Sequence, residues 1–199
     1  MMETFIQTRS GLFYPGDPES YTPELSELVP TLARIPRFNG HADIEYTVAQ
    51  HTVAGVMALQ DMGEDNAAQI FLAHDLHETI LGDIPSPVKQ FIPGLSEYEA
   101  RLENHFIGMF AGDAAMDTHA WVLSRAMDSL IVAVEAMYLN LNADGWATTR
   151  WEEYPWPDPT YSHTEVRATT RHNVRVALAM GPVGAADMLV ALYEKLSLS

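Results

Sequence analysis

Apolar residues recur at helical spacing along most of the chain, and Gly and Pro cut the pattern into segments. Pro23-Glu24 reads as the first turn of a short helix ending at Leu32 or Arg34. A second apolar-periodic segment covers about Val48 to Met62. A third runs from Asp65 to Leu81, with Ala67, Ile70, Phe71, Leu76 and Ile80 on one stripe, and stops at Gly82 before the turn Pro85-Ser86-Pro87. Glu97 to Phe110 follows the breaker Pro93-Gly94, and Ala120 to Asn140 is the longest unbroken run. Two more segments, about Thr164 to Met180 and Gly184 to Leu196, flank Gly181-Pro182. Gly145 to Pro159 is rich in Trp and Pro and is expected to be a loop. The first thirty residues are rich in Pro, Gly and Ser, with Phe13 to Pro18 as turns, which predicts an irregular arm over the core. No segment alternates convincingly as a strand, and no repeat or low-complexity tract appears. The pattern predicts an all-α, single-domain helical bundle over residues 1–199.

Composition narrows the chemistry. With 199 residues and 47% hydrophobic composition, the chain is long enough to bury a substantial core as one unit. It has no cysteine, which excludes disulfides, iron–sulfur clusters and thiolate-held zinc, so any metal must be held by His, Asp or Glu. The net charge of −16 repels a polyphosphate backbone at long range and argues against duplex nucleic acid. A small phosphorylated ligand remains compatible, because a divalent ion and a few Arg or Lys reverse the field inside one pocket. Met1 to Phe5 has neither a basic leader nor an apolar core, and no stretch approaches a membrane span, so a soluble cytoplasmic protein without a membrane partner is expected.

The candidate chemistry sits in Ala73 to Pro87, with His51 before it and Asp128 after it. The adjacent His74 and Asp75 offer an imidazole nitrogen and a carboxylate oxygen, both good ligands for a borderline divalent metal. They are expected near the middle of the third helix. Glu78, four residues after His74 and three after Asp75, then emerges on the same face, where an acid or base is needed beside an activated water. Taken alone, His51 reads most simply as a core or surface histidine. Asp128, in an apolar stretch, needs a partner, because burying an unpaired carboxylate costs several kcal/mol. Glu135, seven residues later and on the same helical face, is either a salt-bridge partner or a polar neighbour of the metal-binding helix. His77 receives no role, since the register is not that of an inverted zincin.

The order His51, His74-Asp75, Asp128, with Glu78 behind the pair and Gly82-Asp83-Ile84-Pro85-Ser86-Pro87-Val88-Lys89 after it, resembles the HD-domain phosphohydrolases. Within them the resemblance is closest to the bacterial deoxyribonucleoside 5′-monophosphatases and their phage-encoded relatives, over roughly residues 24–140. It implies one divalent transition ion (Co, Mn, Zn or Ni) held by His51, His74, Asp75 and Asp128. It further implies that Glu78 assists the attacking water and that Asp83, Ile84, Pro85 and Ser86 contact the nucleotide. An Arg followed by an aromatic residue ahead of the first ligand is also part of that pattern, and Arg37-Phe38 fits by spacing, with Arg34 competing. Arg37 would orient the phosphate, Phe38 would pack on the sugar or base or else be plain core, and Lys89 would add positive charge at the mouth. His41 either donates to the phosphate or is solvated. Asp83 or solvent would protonate the leaving oxygen. The expected function is hydrolysis of a small 2′-deoxynucleotide, most simply a monophosphate, by a chain that forms homo-oligomers. A deoxynucleoside triphosphate triphosphohydrolase is the nearest alternative, disfavoured by the scarcity of Lys and Arg. A non-catalytic nucleotide sensor with a structural metal is the alternative of another class.

Overall fold

A computed structural model describes residues 4–198. The expectation of no leader over Met1 to Phe5 therefore falls largely on Met1, Met2 and Glu3, which lie outside the described residues. The helices are α1 (Leu25–Leu32), α2 (Val48–Asp61), α3 (Asp65–His74), α4 (Glu78–Leu81), α5 (Ser86–Lys89), α6 (Leu95–Phe110), α7 (Thr118–Tyr138), α8 (Trp146–Glu153) and α9 (His163–Leu196). The arm departs from the strand-free expectation: β1 (Ile6–Thr8) and β2 (Gly11–Phe13) form one antiparallel hairpin pairing Ile6 with Phe13. A three-residue strand is too short to show alternation, but Gly11 at φ 122 supplies the turn backbone that closes it.

Helix α2 is the axis of the bundle. Val48 to Val56 are all buried, as expected of a helix that is apolar on every side, and α3, α7 and α9 pack around it. Its start is fixed by a capping box in which Thr47 and Gln50 satisfy each other's otherwise unpaired backbone donors. The Gln50 side-chain amide also donates to the Ala177 carbonyl at 3.0 Å, pinning α9 against the first turn of α2.

Three segments differ from the sequence reading. The long third helix is two helices, because Asp75, Leu76 and His77 form a turn between α3 and α4. His77 Nδ1 donates to the His74 carbonyl at 2.8 Å and Thr79 Oγ1 to the Leu76 carbonyl at 2.7 Å, so side chains take acceptors the next turn would have used. The segment expected as a loop contains α8. Its prolines begin at Pro155, beyond the last helical residue, and Asn142 Oδ1 accepts from Ala147 N and Thr148 N to start the helix. Finally, α9 runs through Pro182 with a kink at Gly181, φ 66. A window of α9 has a mean hydropathy of 1.6, so by length and composition it is long enough to cross a membrane, correcting the expectation that no stretch approaches a span. The same helix sends Val174, Ala177, Ala185 and Leu189 into the core.

Candidate metal centre

The break after α3 is what lets two adjacent residues serve one point. On a continuous helix neighbouring side chains diverge by roughly 100°. Asp75 instead leaves helical geometry at φ −99, ψ 6, and its Oδ2 lies 3.1 Å from His74 Nε2. The expectation of a pair in mid-helix is thus corrected to a pair at a helix end. His51, one turn into α2, brings its Nε2 to 3.5 Å from Asp75 Oδ2 and 3.3 Å from Asp128 Oδ1. His51, His74 and Asp128 each offer a donor atom within 4.8 Å of the others, enough to hold a metal ion, and Asp75 approaches both imidazoles from its own side.

The imidazoles are prepared for a cation. His74 Nδ1 bonds the Phe71 carbonyl, which only a protonated nitrogen can do, and that leaves the lone pair on Nε2. His51 Nδ1 faces Glu135 Oε1 at 2.7 Å, where it donates to the carboxylate. Both Nε2 atoms are buried without a hydrogen-bond partner. Two orphaned imidazole nitrogens facing two carboxylates are costly unless a positive charge lies between them, so the residues present fit a divalent ion. Without one, a proton takes that place. Burial and Arg37 oppose the His51 cation, yet Glu135 and Asp128 together hold its pKa up to about 9.

Glu135 has no exposure and is shared by three groups. It accepts from Tyr46 Oη at 2.9 Å, meets His51 Nδ1, and pairs with Arg37 Nε at 3.2 Å. Of the two sequence options for Glu135, the ion pair is realised with Arg37, and the residue lies on the same helix as Asp128. Tyr46 was missed; a Tyr six residues after a loop glycine gives no sequence signal. Arg37 also lies 3.6 Å from Asp75, and both carboxylates hold it charged against its burial. Arg34 is elsewhere, donating to the Pro30 carbonyl at the end of α1.

A cavity of about 520 Å3 opens beside Asp128. Of the expected substrate contacts, Arg37, Phe38, Asp83, Pro85 and Ser86 line it. Phe38 stands at φ 54 with Asn39 at φ 52, a left-handed pair that costs on the order of 1–3 kcal/mol per residue and turns the chain tightly between Arg37 and the rim. His41 is exposed and Ile84 half-buried, and neither lines the cavity. Lys89 turns away from it to pair with Glu99 at 2.8 Å. Pro87 lines it as well, and Ser129, Val132, Trp146 and Arg150, which complete the wall, were not anticipated. Glu78 is buried, and its Oε2 has no hydrogen-bond partner. Burial first, and then the charges of Asp75 and Asp83, push its pKa well above the usual carboxylate range. Asp83 is also raised, chiefly by burial.

Fold and centre together define an all-α protein with a His/Asp group, its two histidines buried and Asp128 half-buried, able to hold a metal ion. The chain is similar to the uncharacterized protein YfdR of Escherichia coli strain K12, with 32% identity over 101 residues, which is 50% of this chain. The match covers 54% of that protein, so it extends over about half the length of each. No protein-family profile matches the chain.

Proposed function

We propose that this protein is a phosphohydrolase of 2′-deoxynucleotides, and most specifically a deoxyribonucleoside 5′-monophosphatase. In this reading His51, His74, Asp75 and Asp128 hold one divalent transition ion. The observation that carries it is the pair of buried, unpartnered Nε2 atoms on His51 and His74, facing Asp75 and Asp128, the last of which lines a cavity together with Arg37, Asp83 and Ser86. When bound, such an ion supplies Lewis acidity toward a phosphoryl oxygen and acidifies water at neutral pH.

The chain's own residues supply the rest. Glu78 Oε2, buried and unbonded, accepts the proton of the attacking water. Burial first, and then the charges of Asp75 and Asp83, raise Glu78; a cation held beside Asp75 would offset the Asp75 share and so favour Glu78 as a base. Arg37 meets charge growing on the phosphoryl oxygens, and Asp83, kept protonated more readily by burial, gives its proton to the leaving oxygen. Ser86, at the start of α5, offers a hydroxyl to the ligand.

The charge balance favours the monophosphate over a triphosphate. Arg37 is already balanced by Glu135 and Asp75, so among the described residues lining the cavity Arg150 alone is left without an ion pair, which is little countercharge for a longer anion. The test is product analysis over deoxy- and ribonucleoside mono- and triphosphates, using chelator-treated protein reloaded with Co²⁺, Mn²⁺, Zn²⁺ or Ni²⁺. Release of inorganic phosphate from deoxynucleoside monophosphates supports the proposal. Triphosphate release from deoxynucleoside triphosphates replaces it with the alternative, and nucleotide binding without turnover with any ion replaces it with a sensor.

A further inference from the structure

Helix α8 places two side chains on the cavity wall that the metal centre does not require. Trp146 and Arg150 are one turn apart, so they share a face, and both line the cavity beside Asp128 and Ser129. Each is held in place. The Trp146 indole N–H donates to the Leu141 carbonyl at 2.9 Å, which fixes a ring that is 41% exposed. Arg150 Nε donates to the Ser129 carbonyl at 3.0 Å, which ties α8 to the residue after Asp128. The chain before this segment is anchored too, since Asn140 Nδ2 donates to Asp43 Oδ2 at 2.9 Å.

The two residues fill two chemical gaps. Arg37 is paired with two carboxylates and Lys89 with one, whereas Arg150 makes no ion pair among the described residues and its terminal nitrogens remain open to an anion. Phe38 lines the same cavity, and with Trp146 it gives the walls two aromatic rings. An indole left partly exposed on a pocket wall, and braced through its N–H, suits a flat aromatic ligand. A cavity of about 520 Å3 is ample for a nucleotide.

We infer that the Trp146–Arg150 face of α8 is the recognition wall for a nucleoside phosphate, with Trp146 the stacking surface for the base and Arg150 the uncommitted cation for the phosphate. The inference rests on the cavity being a nucleotide site and adds which residues select the ligand. It makes the base, and not the sugar phosphate alone, a determinant of affinity. Phe38 at the strained turn then faces a ligand already oriented from α8.

The experiment compares wild type with Trp146→Leu, Trp146→Phe and Arg150→Gln. Equilibrium binding is followed by tryptophan fluorescence and by calorimetry, with deoxyadenosine 5′-monophosphate, 2′-deoxyribose 5-phosphate and inorganic phosphate as probes. Trp146→Leu should weaken the nucleotide about five-fold or more and leave the two base-free probes unchanged, while Trp146→Phe restores most of the loss. Arg150→Gln should weaken all three phosphate-bearing probes, and less so at high salt. Equal losses for nucleotide and deoxyribose phosphate in Trp146→Leu, or no loss in any variant that keeps its helical circular dichroism, overturn the inference. Because binding is read without turnover, a protein that binds through Trp146 but hydrolyses nothing defeats the enzymatic reading alone. A protein that hydrolyses nucleotides indifferently to Trp146 defeats this one alone.

Discussion

A Cβ on Gly55 would sit 2.1 Å from Cε1 of Phe71, so α2 and α3 approach each other only because position 55 has no side chain. The Phe71 ring placed there lies 4.3 Å from the His74 ring and 5.4 Å from that of His51, centroid to centroid. One small residue on α2 therefore sets the spacing of the two imidazoles. Gly55→Ala must displace an aromatic ring that is fully buried, an overpacking cost of about 1–3 kcal/mol. Urea unfolding should show that loss, and metal titration should show weaker binding. Unchanged stability together with unchanged metal affinity would mean that the contact yields without cost.

Glu135 controls the orientation of His51 and balances Arg37, yet it reaches no donor position of the centre itself. Glu135→Gln should lower metal affinity by about 10–100-fold, because the amide cannot hold the Nδ1 proton of His51 as the carboxylate does. It should also destabilise the fold, since Arg37 is left buried with one weaker partner. Tyr46→Phe removes a single hydrogen bond to the same carboxylate and should cost about 1 kcal/mol with little effect on metal. Competition against a chromogenic chelator separates the two variants, and an equal affinity loss in both would contradict this division of roles.

Much of this arrangement is written locally and could be read from the chain. The apolar period locates α2, α6, α7 and the first part of the segment that holds α3. The His74-Asp75 pair and the lone Asp128 stand out on those periods, and His51 joins them only through the resemblance in motif order. What escapes is non-local or made by small exceptions. The turn after His74 arises from His77 and Thr79 capturing carbonyls, which the apolar stripe through Leu76 and Ile80 conceals. Helix α8 is hidden by Pro155, Pro157 and Pro159, which lie beyond its end while raising the proline content of the segment. Lys89 follows a plausible motif but finds Glu99 on α6, a partner that only the tertiary fold brings near. Trp146 and Arg150 belong to the cavity because of where α8 packs on α7, and no spacing rule connects them to His74.

Glu78→Gln tests the division between holding the ion and moving the proton. The amide keeps the size of the side chain and cannot accept a proton from water, so kcat should fall by about 100-fold or more while stoichiometric metal is retained. Because Glu78 is buried with an unbonded Oε2 and a raised pKa, the neutral amide should not destabilise the apo protein. Release of metal by this variant would make Glu78 a ligand.

Arg37→Ala removes a guanidinium that serves Glu135 and Asp75 as well as the cavity, so its effect should extend beyond catalysis. We expect kcat/KM to fall by at least about 2 kcal/mol in transition-state terms, together with a measurable loss of stability. Arg37→Lys should recover stability better than turnover, since an ammonium keeps the charge but not the two-pronged contact. Arg34→Ala is the control, because the Arg34 side chain bonds only the Pro30 carbonyl among described residues and its loss should leave both quantities nearly unchanged. A crippled Arg34→Ala beside a silent Arg37→Ala would reverse the assignment.

The His77–Glu99 contact gives the fold a dependence on pH whose sign follows from both partners. Burial opposes the His77 cation, but the Glu99 carboxylate 3.8 Å from its Nε2 and the charge of Asp75 raise its pKa above the usual 6.5. The stability it contributes is full below 6.5 and is lost as pH rises through the folded value. Glu99 runs the other way: burial opposes its charge, yet His77 and Lys89 lower it below the usual 4.5, so its contribution is present above 4.5 and fades as pH falls through the folded value. The pair is strongest between the two. Urea unfolding of chelator-treated protein should therefore show a fall in stability as pH rises above 6.5 that is larger than in His77→Gln, which keeps a donor for the His74 carbonyl without the charge. Parallel pH dependence in wild type and His77→Gln would show that the imidazole remains neutral throughout and that Lys89 alone balances Glu99.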